Sequence, residues 1–179
     1  NWAQIVAPTG SDVWYNALPR QIKLRGAADF ITDKPGFYAK DSLLHCPNAT
    51  FDKNVALDGF VYFSLAMNSK LIDGAATTIK ASTVQRPAQT VIFLENRLKE
   101  EAKVDAAQSD SDLGQPASFA SRFSARHRGV GNLGFTDGHA EPLKGSKVVE
   151  TTIGSPNKGK AILPQTTLAW TADPNTNPN

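Results

Sequence analysis

The sequence has little cysteine, little excess charge and no long apolar run, and each shortage excludes a class of protein. Cys46 is the single cysteine among 179 residues, so no disulfide can form within the chain. We expect its thiol to be buried as a small hydrophobic group. The formal net charge is only +2 and no basic run is interleaved with aromatics, which argues against nucleic acid as a partner. An apolar run of about 18 residues, which a membrane-spanning helix needs, is also missing.

Motifs of known catalytic chemistry are missing as well. The chain contains no nucleophile elbow, no phosphate-binding loop and no zinc-protease helix motif. We therefore predict that the protein is not an enzyme and assign no catalytic residue.

Turn-forming residues, by contrast, are plentiful. The chain has 13 Gly and 11 Pro, which indicates short elements joined by many turns. Its length suits one domain, and we predict a single globular domain over residues 1–172. Residues 173–179 are polar and interrupted by proline, so we predict a disordered tail there. Because the chain begins at Asn1 without Met, we expect that an upstream segment was removed.

Periodicity indicates a mixture of helices and strands. Residues 1–24 have short helical patterns. In residues 60–68, apolar side chains alternate with smaller or more polar ones, which predicts a half-buried strand with Val61, Phe63, Leu65 and Met67 on its apolar side. We predict a second strand over residues 77–84. Residues 90–94 are continuously apolar, as in a strand covered on both faces. Residues 95–111 are rich in charge, and we interpret them as an exposed excursion without chemistry.

The densest signal is the stretch from Arg126 to Leu143. Asp137 and Gly138 lie between two short strand-like runs, which predicts a hairpin with a two-residue type I′ turn. Counting outwards from that turn pairs Thr136 with His139, Phe135 with Ala140, Gly134 with Glu141, and Leu133 with Pro142. This register would collect Leu133, Phe135, Ala140 and Pro142 on one apolar face.

The same stretch offers nitrogen and carboxylate ligands in the order His127, Asp137 and His139. Such ligands suit zinc, and a metal-dependent hydrolase that uses these three residues is one alternative function. The interpretation we favour is structural: Asp137 belongs to its turn, His139 lies on the polar face, and His127 clamps the hairpin through a hydrogen bond. We therefore predict no cofactor.

These residues also carry a family resemblance. Arg126, His127, Gly129, Asn132, Phe135 and the Asp137-Gly138-His139 run resemble the motif of the prepilin-type-processing-associated H-X9-DG proteins, a pseudopilin-like family. Four further segments are similar to segments of that family: Leu44 to Pro47, Val61 to Asn68, Arg86 to Glu95, and Leu168 to Trp170. The resemblance covers most of the chain, and His127, Asp137 and Gly138 are its defining residues.

The resemblance implies an α+β pilin-like head, in which an N-terminal helix packs on an antiparallel sheet with irregular loops. It implies a structural subunit of a type II secretion or type IV pilus-like assembly, exported and anchored in the inner membrane, with the head in the periplasm or at the cell surface. The family's apolar helix is absent from this sequence, so we expect partners, namely other pseudopilins and the secretion machinery, to be engaged through a helix upstream of Asn1. The membrane contact would also be made by that helix alone, and we expect the head to be monomeric.

Two points remain open. Some related pseudopilins bind calcium, for which Asp137, Asp173 and Asn175 are conceivable donors. A second alternative function is an exported module that displays Trp2, Trp14 or Trp170 to a glycan or a protein partner.

Overall fold

The computed structural model describes residues 2–6, 13–40, 42–71 and 79–179, which form an α+β fold. Four short helices lie in the N-terminal third: α1 Trp2–Val6, α2 Trp14–Gln21, α3 Lys34–Phe37 and α4 Lys53–Asp58. Aspartates begin two of them. The Asp52 carboxylate accepts hydrogen bonds from the backbone N–H groups of Asn54 and Val55, and that of Asp33 accepts one from Gly36.

Five strands form one mixed sheet: β1 Leu65–Asn68, β2 Val91–Glu95, β3 Ala117–Ser118, β4 Val130–Phe135 and β5 Ala140–Lys144. Their spatial order is β3-β1-β2-β4-β5, and every neighbouring pair is antiparallel except β1 with β3. The predicted α+β class is therefore confirmed, and the sheet is antiparallel apart from one short edge pair.

Strand β1 does not bury the side chains that the alternation predicted. Ala66 and Asn68 are buried, whereas Leu65 and Met67 are only half-buried. The alternation shifts because Phe63 and Ser64 are both buried just before the strand begins. Asn68 is tolerated inside because its amide donates hydrogen bonds to the Val91 and Trp170 carbonyls at 2.7 and 2.8 Å.

The second predicted strand, residues 77–84, is not a strand where it is described. Thr77 and Thr78 lie outside the described residues. Ala81–Thr83 forms a single 3₁₀ turn, which the Thr83 side chain stabilises by donating a hydrogen bond from Oγ1 to the Lys80 carbonyl.

The described residues form two apolar cores. The first packs one sheet face against the chain after residue 145 and contains, among others, Val91, Leu94, Leu133, Phe135, Val148, Val149, Ala161, Leu168 and Trp170. The second joins the helices to the segment before β1 and contains Trp2, Ile5, Ala27, Phe30, Phe37, Leu44, Val61 and Phe63. Trp14 of α2 links the helices to the sheet, because its ring lies 5.3 Å from the Phe93 ring and its indole N–H donates to the Pro116 carbonyl.

The hairpin is present, but its predicted turn and register are wrong. Gly134 pairs with Ala140 and Leu133 with Glu141, one residue out of the predicted register. Residues 136–138 form a three-residue loop, closed by hydrogen bonds from Phe135 N to His139 O and from Gly138 N to Phe135 O. Only Gly138, with φ of +96°, has the positive φ that a type I′ turn requires at both central positions. Leu133 and Phe135 still share the buried face, whereas Ala140 and Pro142 lie on the opposite one.

Residues 173–179, for which we predict a disordered tail, form hydrogen bonds with the body of the fold. The Gln165 side chain donates hydrogen bonds to the Pro174 and Thr176 carbonyls, and the Asn179 side chain forms two hydrogen bonds with the Ala161 backbone. Backbone and amide partners thus hold a segment whose composition predicted disorder.

Candidate functional site

A polar cluster lies where strands β2 and β4 run side by side. It consists of Cys46, Glu95, His127 and Asn132, and we refer to it as the Glu95 cluster. Glu95 ends β2, and the register that pairs Leu94 with Leu133 places it beside Asn132 of β4. His127 begins the tight turn that leads into β4, in which Arg128 and Gly129 both have positive φ. Cys46 comes from the loop between helices α3 and α4.

Short contacts join these side chains. His127 Nε2 lies 2.9 Å from Glu95 Oε1 and 3.6 Å from Cys46 Sγ. The Asn132 amide donates to the same Glu95 oxygen at 2.7 Å. The other ring nitrogen of His127 faces the Asn48 amide at 3.4 Å. His127 is therefore held from both sides of its ring.

The Glu95 carboxylate is buried and only half satisfied. The residue is 7% exposed, and its Oε2 has no hydrogen-bond partner among the described residues. The nearest cation is Arg126, whose Nη1 lies 3.8 Å from that oxygen. A buried carboxylate oxygen without a donor is costly, so it marks a place where a ligand would be favourable.

Arg126 itself is committed to another partner. Its guanidinium forms a two-pronged ion pair with Glu101, at 2.7 and 2.9 Å, and both side chains are almost fully buried. Burial opposes the charge, but the hydrogen bonds and charge of Glu101 prevail and raise the pKa of Arg126 above its ordinary value. Glu101 also accepts hydrogen bonds from Leu98 N and Ser124 Oγ. The predicted exposed excursion over residues 95–111 is thus wrong in part: Glu95, Arg97 and Leu98 are buried. The side chain of Glu101 is buried as well, where it neutralises Arg126.

The loop that carries Cys46 is fixed to the body. The Cys46 N–H donates a hydrogen bond to Ser64 Oγ, just before β1. Beside it, His45 is 5% exposed and packs against the rings of Tyr38 and Phe51. Burial, with a smaller contribution from the Arg126 charge, lowers the pKa of His45 to about 4. The imidazole of His45 is therefore neutral at physiological pH.

The structure separates the three residues predicted as metal ligands. His127 precedes β4, whereas Asp137 and His139 lie beyond its far end in the hairpin loop, and the strand between them has six residues. Asp137 Oδ1 and His139 Nδ1 are 2.6 Å apart, and this hydrogen bond lowers the pKa of Asp137. The His139 ring stacks on Phe135 at 4.3 Å. Asp137 and His139 thus stabilise their own loop, and the side chain of His127 bonds to Glu95 of β2 rather than to the hairpin.

The remaining candidates also have other roles. Asp173 accepts two hydrogen bonds from Asn175 within its own turn. Trp2 and Trp170 are buried, at 5% and 1% exposure, so neither can be displayed to a glycan. Only Trp14 is partly accessible.

Sequence reasoning did not select Cys46 or Glu95 as site residues, although both stand in segments quoted for the family resemblance. Within the described ranges, Cys46, Glu95 and His127 are the one group of three His, Cys, Asp or Glu residues whose ligand atoms all lie within 4.8 Å of one another. In the sequence these three residues stand in separate segments far apart, and only the folded sheet brings them together.

Two chemistries can be compared at this cluster. A cysteine nucleophile needs a histidine nitrogen free to take its proton. Here the nitrogen that faces Cys46 is the one already bonded to Glu95, which argues against that role. Thiolate, imidazole and carboxylate that converge on one point suit a divalent metal instead.

The fold belongs to the α+β class, and comparison with known proteins does not assign it to a family. No family model, no curated protein and no solved structure matches the chain. None of the helices in the described part of the chain is long and apolar enough to cross a membrane.

Proposed function

We propose that this chain is the globular head of a pseudopilin-like structural subunit, which belongs to a type II secretion or type IV pilus-like assembly of the bacterial envelope. In this proposal the protein is exported, and its head lies in the periplasm or at the cell surface. Other pseudopilins and the secretion machinery are the partners, and an apolar helix upstream of Asn1 provides both the assembly contact and the membrane anchor.

The observation that supports the proposal is the meeting of separate resemblance segments in one place. Cys46, Glu95 and the pair of His127 and Asn132 come from three different segments of the resemblance, and they form the Glu95 cluster. Other residues of the motif also have structural roles. Arg126 forms the buried ion pair, Phe135 is in the core, and Gly138 adopts the positive φ of the hairpin loop. A motif that holds loops onto a sheet is what a scaffold subunit requires.

The experiment is expression of the complete gene, with all codons upstream of Asn1, in a host with a prepilin peptidase. We expect a basic leader followed by an apolar run, processing of the leader, and recovery of the protein in the membrane fraction from which only detergent extracts it. The matched control is the 179-residue chain directed to the same compartment by a cleavable signal, which should be recovered without detergent.

A complete protein that is found free in the medium, with no membrane-bound fraction, would overturn the proposal. The alternatives would then be an exported partner-binding module or a metal-dependent hydrolase.

A further inference from the structure

We propose that Cys46, Glu95 and His127 form a zinc site, which ties the loop that carries Cys46 to the central strands of the sheet. The inference does not depend on the function proposed above, because it concerns how the head is held together.

The spacing of the ligand atoms supports the site. Zinc bound at about 2.3 Å to sulfur and about 2.0–2.1 Å to nitrogen in tetrahedral geometry separates those two atoms by about 3.5–3.6 Å. Cys46 Sγ and His127 Nε2 are 3.6 Å apart. Glu95 Oε1 lies 2.9 Å from the same nitrogen, a few tenths of an ångström less than tetrahedral coordination would set, and all three ligand atoms lie within 4.8 Å of one another.

The charges also balance. Zinc with a Cys46 thiolate and the Glu95 carboxylate is neutral overall, and the thiol proton is released to solvent on binding. The one nearby cation, Arg126, is already neutralised by Glu101 at 2.7 Å. Glu95 Oε2 has no hydrogen-bond partner among the described residues and lies 3.8 Å from the Arg126 guanidinium, so zinc would give this buried carboxylate a closer cation.

Supporting residues orient two of the ligands. Asn132 donates to Glu95 Oε1 at 2.7 Å and fixes the carboxylate on the sheet. The Asn48 amide nitrogen lies 3.4 Å from His127 Nδ1. With that amide flipped, its oxygen would accept the Nδ1 proton and leave Nε2 free for the metal. Three protein ligands leave a fourth position, which water or the second Glu95 oxygen fills.

The test uses cobalt(II) as a spectroscopic probe for zinc. The chain is stripped of metal with a chelator under reducing conditions and titrated with cobalt. We expect one cobalt per chain, a thiolate-to-cobalt charge-transfer band, tetrahedral visible bands, and loss of these bands when zinc is added. Zinc should also raise the midpoint of thermal unfolding.

Variants assign the site. Cys46→Ala should lose the charge-transfer band, and Cys46→Ala, Glu95→Gln and His127→Gln should each weaken zinc binding by more than about 100-fold, since loss of a supporting residue alone costs about 10–100-fold. The matched control is His139→Gln, which removes a histidine that is also paired with a carboxylate, and it should bind like the unmodified chain.

No saturable binding to the unmodified chain, binding retained in Cys46→Ala, or binding lost in His139→Gln would overturn the proposal. Circular dichroism of each variant without metal shows whether it folds. If Glu95→Gln does not fold, the half-exposed loop residue Cys46 decides the question.

Discussion

The Arg126–Glu101 pair places two full charges in the interior, where each depends on the other. Removal of one partner leaves an uncompensated buried charge, which costs about 3–5 kcal/mol in comparable pairs. We therefore expect Arg126→Met to lower the free energy of unfolding by about that amount, measured by urea denaturation in the presence of a chelator so that metal plays no part.

The control is the exposed pair of Arg20 and Asp29, whose atoms are 2.6 Å apart and whose side chains are 43% and 38% exposed. Arg20→Met should cost only about 0–1 kcal/mol because water already solvates both groups. Equal effects at the two arginines would contradict the burial argument.

The hairpin loop shows how one residue sets the geometry of an element. Gly138 has φ of +96°, and a Cβ added to it would meet no atom within 4 Å, so backbone strain is the only penalty there. We expect Gly138→Ala to lower stability by about 1–2 kcal/mol, the cost of the left-handed region for a residue with a side chain.

Gly134 in the adjoining strand β4 provides the control. Its φ is not positive, and an added Cβ would lie at an ordinary 3.5 Å from Phe93. Gly134→Ala should therefore leave the thermal midpoint unchanged or raise it slightly. A comparable loss in both variants would mean that the loop glycine is not needed for its φ.

The side chain of Trp14 couples helix α2 to the sheet. Its ring contacts Phe63 and Phe93, and its N–H donates to Pro116 O at 3.0 Å. Trp14→Phe should cost about 1 kcal/mol, the net value of a hydrogen bond, whereas Trp14→Ala should cost about 3 kcal/mol or more through lost packing. Unfolding followed by near-ultraviolet and far-ultraviolet circular dichroism measures both, and equal losses would show that packing against the sheet contributes little.

At the scale of the whole molecule, the sequence predicted local elements better than long-range partners. The strand at residues 90–94 and the hairpin after Val130 follow from apolar periodicity and an Asp-Gly turn, both local signals. The burial of Glu101 and the approach of Cys46 to His127 depend on contacts between segments more than 20 residues apart, for which one sequence carries no direct signal. The predicted register of the hairpin was wrong for a local reason. The same Asp-Gly pair can lie in a two-residue or a three-residue loop, and the two loops shift the pairing of the strands by one residue.

The last seven residues, 173–179, test whether composition or tertiary contact decides order at the end of the fold. A disordered tail could be removed without effect, but here Gln165 Nε2 donates to the Pro174 and Thr176 carbonyls. Asn179 forms reciprocal hydrogen bonds with Ala161 N and O, at 2.9 and 3.0 Å, next to a core alanine. Each net hydrogen bond contributes about 0.5–1.5 kcal/mol, so we expect Asn179→Ala to lower the free energy of unfolding by about 1–2 kcal/mol. Asn175→Ala, which removes a contact confined to its own exposed turn, should cost less than about 0.5 kcal/mol. If urea denaturation finds both variants as stable as the unmodified chain, the segment is the frayed tail that its composition predicts.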